Sequence, residues 1–324
     1  MTTVTAEPRT AARVLQPLRT VSFWAQWASV IGLILLVIVF TILDPGFVSL
    51  GNIRSMLQAS AILAILVVGQ AFVVLTAGID LSVASVMTLG AITFGLTTAA
   101  GAALPVAMLA AIATGLLAGM LNGVLIAKSK ITDFIVTLGM LSAASGVGLI
   151  ISDGKPTAVS DPFLLALATR SIGMVPYTFF IAAVIAVIAH IVLFWTPFGT
   201  HVLATGGSMD AAKATGINTD RIKIAVYAIS GLLAGVAAIL LVGRVGAAEP
   251  AANTTFLLNS VAAVVLGGVS LFGGKGTIIG PLTGALLLTA LTNGLTLLGV
   301  SQFYQPLAVG VVVVGAAFLT RFQK

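Results

Sequence analysis

Cysteine is absent from this chain, so disulfides and thiolate chemistry are excluded. Charge is almost as scarce. Asp, Glu, Lys and Arg together make up 7% of the 324 residues, where a soluble chain carries about 25%. Only two histidines occur, His190 and His201. Neither has a carboxylate or second histidine at metal-ligand spacing, so no metal site is expected. No Ser-His-Asp set and no pair of carboxylates stands out, and no catalytic residue is expected. The run Gly273-Gly274-Lys275-Gly276-Thr277 resembles a phosphate loop but fails as one. Gly276 follows the lysine where Ser or Thr is required, and Val269 stands where the first glycine belongs. A glycine-rich turn between two spans is the better reading, and this chain is expected to hold no cofactor of its own.

What the chain has in abundance is apolar surface and glycine. It is 59% hydrophobic with 35 glycines, and its mean hydropathy is +1.18. Too little polar surface remains to keep such a chain in water, so an all-α membrane protein with many spans is expected. The net charge of +6 marks cytoplasmic loops rather than a nucleic-acid surface.

Hydropathy divides the chain into a polar tail, residues 1–23, and a single transmembrane domain, residues 24–324, with about ten spans. They run over Trp24–Leu43, Ala59–Ala77, Val83–Ala100, Pro105–Ala127, Phe134–Ile151, Pro176–Trp195, Arg221–Val242, the short Ser260–Leu271, Ile278–Leu298 and Phe303–Leu319. The first apolar run is too long for the core of a signal peptide and lacks a small-residue cleavage pattern, so it reads as a span. With both termini inside, eleven of the fifteen Lys and Arg residues fall on the cytoplasmic side. Arg54, Lys155, Arg170 and Arg244 fall outside. That bias supports the orientation.

Between the sixth and seventh spans lies a polar run, Thr205 to Asn218, within a cytoplasmic segment of residues 197–220. Gly206 and Gly207 are free to turn. Ser208 is placed to cap a helix, Asp210 sits in its first turn, Lys213 lies near its other end, and Gly216 suits a left-handed stop. Ser208, Met209, Asp210, Ala211, Ala212, Lys213, Ala214, Thr215 and Gly216 therefore form a short, rigid knob, too polar to span a bilayer. Such a knob suits docking into a moving partner.

Polar groups within or beside spans are candidates for a translocation pathway: Gln70, Asp80, Ser82, Asn122 and Asn293. Helix–helix hydrogen bonding is an equally good reading of each. Asp80 either caps the third span or is buried against a partner. Gly115, Gly119 and Gly123 recur every fourth residue, which makes one helix face able to meet another backbone closely. Gly231 and Gly235 in the seventh span and Gly280 and Gly284 in the ninth have the same spacing. Thr114-Gly115 and Asn122-Gly123 are echoed by Thr283-Gly284 and Asn293-Gly294 in a span of opposite direction, a weak sign of an inverted repeat.

These residues also carry a resemblance. Gly78-Ile79-Asp80-Leu81-Ser82, Leu121-Asn122-Gly123, Phe134 to Gly139, Ala204 to Ile217 and Ala262 to Gly268 with Gly273-Gly274 together resemble the permease of ribose/xylose/galactose-type bacterial ABC importers, from Phe47 onward. The resemblance implies a bacterial inner-membrane subunit that translocates a monosaccharide or related polyol. It implies two permease subunits, identical or paralogous, and an extracytoplasmic sugar-binding protein that delivers the cargo. A cytoplasmic ABC ATPase, carrying the ATP and Mg, would grip the Ser208–Gly216 knob as its coupling helix. The chain departs from the family pattern at Ser208, usually Asn, at Ala77, usually Gly, and at Leu257 and Asn259, where acidic residues are usual. A stand-alone secondary transporter or facilitator is the alternative that the repeat and the polar break at Asp80 leave open.

Overall fold

The computed structural model describes residues 28–251 and 254–320. The tail 1–23, the start of the first span at Trp24, and Asn253, Arg321 and Lys324 lie outside the described residues. The described chain is mostly helical: α1 Ala28–Leu43, α2 Leu50–Leu75, α3 Val83–Ala99, α4 Leu104–Ser129, α5 Asp133–Ser152, α6 Pro162–Thr169, α7 Tyr177–Trp195, α8 Pro197–Gly207, α9 Met209–Ala214, α10 Thr219–Val245, α11 Thr254–Leu266, α12 Ile279–Leu297 and α13 Gln305–Thr320. Six of these, α2, α4, α5, α7, α10 and α12, are long and apolar enough to cross a membrane. Shorter apolar helices are α1, α3, α11 and α13. The chain is thus a multi-pass, all-α membrane protein.

The bundle is built around α2, in which every residue from Ser60 to Leu75 is buried. Ser49 caps its start, its Oγ accepting from the Asn52 N–H at 3.4 Å, and Ala77 in the left-handed conformation (φ 57°) follows its end. Against α2 pack α10, α12, α7 and α11, so from Ser60 to Leu75 no face of it is open. On one side α10 also packs on α3 and α4, and on the other α12 packs on α1 and α11.

The two faces of the bundle are finished differently. At one end, called here the knob end, lie Leu75, Ser129, Asp133, α8, α9 and the start of α10. At the far end, β1 (Thr157–Ala158) pairs antiparallel with β4 (Ala247–Ala248), and β2 (Ser171–Ile172) with β3 (Val175–Pro176). Arg54 donates to the Gly173 carbonyl at 2.6 and 3.1 Å, and Gln58 donates to the Ala168 carbonyl. The segment 152–175, between the fifth and sixth expected spans, is thereby a bracket of α6 and two small ladders bolted across α2 and α10.

Three further boundaries differ from the expectation. The second span, expected from Ala59, begins at Leu50, because Ser49 starts the helix early and Arg54 and Gln58 bind the far-end bracket. Gly206 and Gly207, expected to turn freely, end α8, a second helix ahead of the knob. Proline at its first position and Thr196 as its cap start it. The eighth segment lies earlier than expected, at Thr254–Leu266, because Gly268 (φ 75°) stops it.

Candidate functional site

At the knob end, α9 is a six-residue helix. The Ala211 N–H donates to Ser208 Oγ at 3.3 Å, satisfying one of the free amides of the first turn. Gly216 (φ 87°) reverses the chain and lets the Ile217 N–H reach the Ala212 carbonyl at 3.0 Å. The run from Ser208 to Gly216 is therefore cap, helix and stop. Met209, Asp210, Ala211, Lys213, Ala214, Thr215 and Gly216 are exposed, whereas Ala212 is 4% exposed and anchors the helix inward.

The knob is not a free arm. A Cβ at Gly206 would overlap the Leu75 carbonyl oxygen and would lie 2.6 Å from the Gly274 nitrogen. The Gly274 N–H itself donates to the Leu75 carbonyl at 2.9 Å. Thus the end of α2, the end of α8 and the loop before α12 meet backbone to backbone, which only glycine permits at positions 206 and 274. The same loop closes on itself through the Ser270 N–H and the Lys275 carbonyl at 2.9 Å, and it leaves Phe272 84% exposed. Glycine richness around Lys275 thus serves a tight junction.

Behind the knob, the start of α10 enters a buried polar cluster in two tiers. In the first, Asp80 sits in the turn between α2 and α3 and is 2% exposed. Its Oδ1 accepts from the Ser82 N–H at 2.9 Å and the Ser82 hydroxyl at 2.6 Å, and its Oδ2 accepts from the Ser230 hydroxyl at 2.8 Å. Asn122 donates from Nδ2 to Ser82 Oγ at 2.9 Å. Burial pushes the Asp80 carboxyl above the usual carboxylate range, and the hydrogen bonds from Ser82 and Ser230 oppose that push. In the second tier, Asp133 at the start of α5 accepts from Lys223 Nζ at 2.7 Å. The Tyr227 hydroxyl lies 2.8 Å from the same Asp133 oxygen and 3.2 Å from the Ile79 carbonyl. The side chains of Lys223 and Asp133 are 6% and 21% exposed.

Of the polar residues singled out from sequence, Asp80, Ser82 and Asn122 come together here. Gln70 is fully buried in α2, and neither of its amide atoms has a hydrogen-bond partner among the described residues. Asn293 lies elsewhere, at the far end, exchanging hydrogen bonds with Asn52 at 2.8 and 2.9 Å. Asp133, Tyr227 and Ser230 were not picked out from sequence. Asp133 offered one signal: an acid at the first position of an apolar helix, where the dipole favours it.

Glycines hold the cluster's scaffold. A Cβ at Gly115 would overlap the Gly231 carbonyl, one at Gly119 the Tyr227 carbonyl, and one at Gly123 would sit 2.6 Å from Ile224 Cα. The descending partner numbers show that α4 and α10 run antiparallel. Gly235 meets Ala111 and Ile112 in the same seam, and Gly280 and Gly284 of α12 meet Gly267 and Ala263. Without a hydrophobic drive between helices in lipid, such close backbone packing is the main source of association.

The arrangement fixes the ends of α2, α5 and α10 to one another through buried hydrogen bonds and one ion pair. A cavity of about 410 Å³ between α2, α7 and α12 is lined by apolar side chains together with Ser60 and His190. Comparison with known proteins gives the relatives. A family model described as "Branched-chain amino acid transport system / permease component" matches residues 52–320. The chain is 40% identical over 297 residues to the ribose import permease protein RbsC of Escherichia coli, covering 90% of this chain and 92% of the relative. It is 33% identical over 300 residues to the fructose import permease protein FrcC of Rhizobium meliloti, covering 90% and 83%. It is 31% identical over 320 residues to the D-allose transport system permease protein AlsC of Escherichia coli, covering 98% of each. No solved structure matches the chain.

Proposed function

The chain belongs to the permease-component family of ABC import systems, and from that premise we propose that it moves a monosaccharide or related polyol across the bacterial inner membrane. The family description names branched-chain amino acids, but the relatives matched over nearly their whole length are named for ribose, fructose and allose. Identity sustained over whole chains bears more closely on the cargo than a broad family description. The single observation that carries the reading is the 40% identity to a ribose permease over 297 residues.

In this reading six long and four short apolar helices make ten spans, with both termini cytoplasmic and helices α4 and α12 related by an inverted repeat. The knob end faces the cytoplasm. The exposed side of α9 is the coupling helix for a separate ABC ATPase, which carries ATP and Mg, and the exposed Phe272 lies on the loop joined to it. Gln70, Asp80, Ser82 and Asn122 belong to the translocation machinery, and Asn293 to its outer end. Because the cavity between α2, α7 and α12 is apolar, the polar route runs between two permease copies, and an extracytoplasmic binding protein delivers the cargo.

The test is reconstitution in proteoliposomes with the ATPase and binding-protein subunits, offering radiolabelled ribose, fructose and allose. ATP-dependent uptake of one of them is expected. Uptake of any of them by the chain alone would replace this reading with a stand-alone transporter.

A further inference from the structure

We propose that Asp133, Lys223 and Tyr227 form the latch through which the knob's movement reaches α5 and the Ile79–Asp80 turn; they are positioning residues for transport. The inference rests on the proposed docking of an ATPase at α9.

The chain path makes the connection short. Two residues, Ile217 and Asn218, separate the exposed stop of the knob at Gly216 from the first turn of α10, and Asn218 caps that helix, its Oδ1 accepting from the Arg221 N–H at 3.0 Å. Lys223 and Tyr227 follow on α10, one turn apart and on one face. Both bond the same oxygen, Oδ2 of Asp133, at 2.7 and 2.8 Å. Asp133 is the first residue of α5, which packs one face on α3 and α4 and leaves the other open. Its Phe134, Ile135, Leu138 and Val147 are exposed, and a Cβ at Gly139 or Gly146 would meet nothing within 4 Å. The first turn of α5 is held by this ion pair and hydroxyl together with Thr137, whose Oγ1 reaches the Ile79 carbonyl at 3.3 Å, while the face carrying Leu138, Gly139 and Ser142 is open.

The latch also closes on the turn. The Tyr227 hydroxyl reaches the Ile79 carbonyl at 3.2 Å, and a Cβ at Gly78 would come 2.5 Å from Asp133 Oδ2 and 2.8 Å from the Tyr227 hydroxyl. A displaced α10 therefore drags both the base of α5 and the Gly78–Asp80 turn. A merely structural pair would do as well with apolar residues, since burying both charges costs desolvation that their attraction only partly returns. α5, α10 and the Ile79–Asp80 turn are tied together through Asp133 and Tyr227, as a transmission point requires.

The experiment uses the absence of cysteine. One cysteine at a time is introduced on the open face of α5, as Leu138→Cys, Gly139→Cys, Ser142→Cys or Gly146→Cys, in the assembled complex with its ATPase. Labelling by a membrane-impermeant maleimide is followed with and without a trapped ATP analogue. In the parent chain the nucleotide is expected to change the rate at one or more positions by about tenfold, a usual size for coupling between two sites. Tyr227→Phe is expected to shrink that change. The double variant Asp133→Leu with Lys223→Met, which leaves no lone buried charge, is expected to abolish it while still co-purifying with the ATPase. Lys223→Arg, which keeps the charge, is expected to restore most of it. The latch is overturned by a parent-sized nucleotide response in the double variant, or by none at any position of the parent with its ATPase bound. A parent chain that captures no ATPase overturns the docking reading instead.

Discussion

At Gly119 a single added methyl has a large structural consequence. Its α-carbon faces the Tyr227 carbonyl and Gly231 across the α4–α10 seam, and a single methyl there overlaps backbone that has no rotamer with which to yield. Gly119→Ala is expected to cost about 1–3 kcal/mol, the usual range for overpacking, read as a lower melting temperature in detergent. Gly51→Ala, at a helical position where a Cβ meets nothing within 4 Å, should leave that temperature unchanged or raise it slightly. The fourfold spacing of Gly115, Gly119 and Gly123 makes this face legible in the amino-acid sequence, because period and size suffice to define it. The partner of Asp80 is not legible in the same way. Ser230 lies 150 residues away in sequence, and a lone serine in an apolar helix has no pattern to distinguish it. Asp80→Ala strands the hydroxyls of Ser82 and Ser230 in a buried site. It should cost about 1–3 kcal/mol, whereas Asp80→Asn, which keeps an acceptor, should cost less in the same melting assay.

At the scale of elements, the knob separates anchoring from display. Ala212 is buried against the protein and Met209 is 38% exposed. Their substitutions should therefore fail differently. Met209→Glu leaves the fold and melting temperature intact and weakens ATPase capture by about 2 kcal/mol, the size of a contact hot spot. Ala212→Arg forces a charge beneath α9 and lowers the melting temperature as well. Equal ATPase capture by the Met209→Glu chain and the parent, measured by co-purification at graded salt, would remove α9 from the docking surface. The cap at Ser208 and the stop at Gly216 are legible in sequence because capping chemistry is local. Helix α8 before them is not, since Gly206 and Gly207 read as flexible until the Leu75 carbonyl and the Gly274 amide are brought against them. The far-end bracket escapes for the same reason. Its ladders pair residues 157–158 with 247–248, and its hairpin is pinned by Arg54, all through contacts distant in sequence.

For the whole molecule, everything proposed depends on which way the bundle faces. Lys128, Lys213, Arg221 and Lys275 lie at the knob end, whereas Arg54, Lys155 and Arg170 lie with the far-end bracket. Moving extra positive charge across the membrane is disfavoured, so the knob end should be cytoplasmic. An ATPase driven by cytoplasmic ATP can reach α9 only in that orientation. The chain's lack of cysteine makes the check direct. Lys213→Cys and Lys275→Cys should resist an impermeant maleimide in intact spheroplasts and react after permeabilisation. Lys155→Cys and Arg170→Cys should react without it. These four residues are exposed, and among the described residues the Lys155 side chain bonds only the neighbouring Asp153, at 2.8 Å, so substitution should not disturb the fold. The pattern must hold as a set. Labelling of Lys213→Cys from outside would invert the bundle, put the knob out of reach of ATP, and remove both the coupling helix and the latch behind it, whatever the relatives transport.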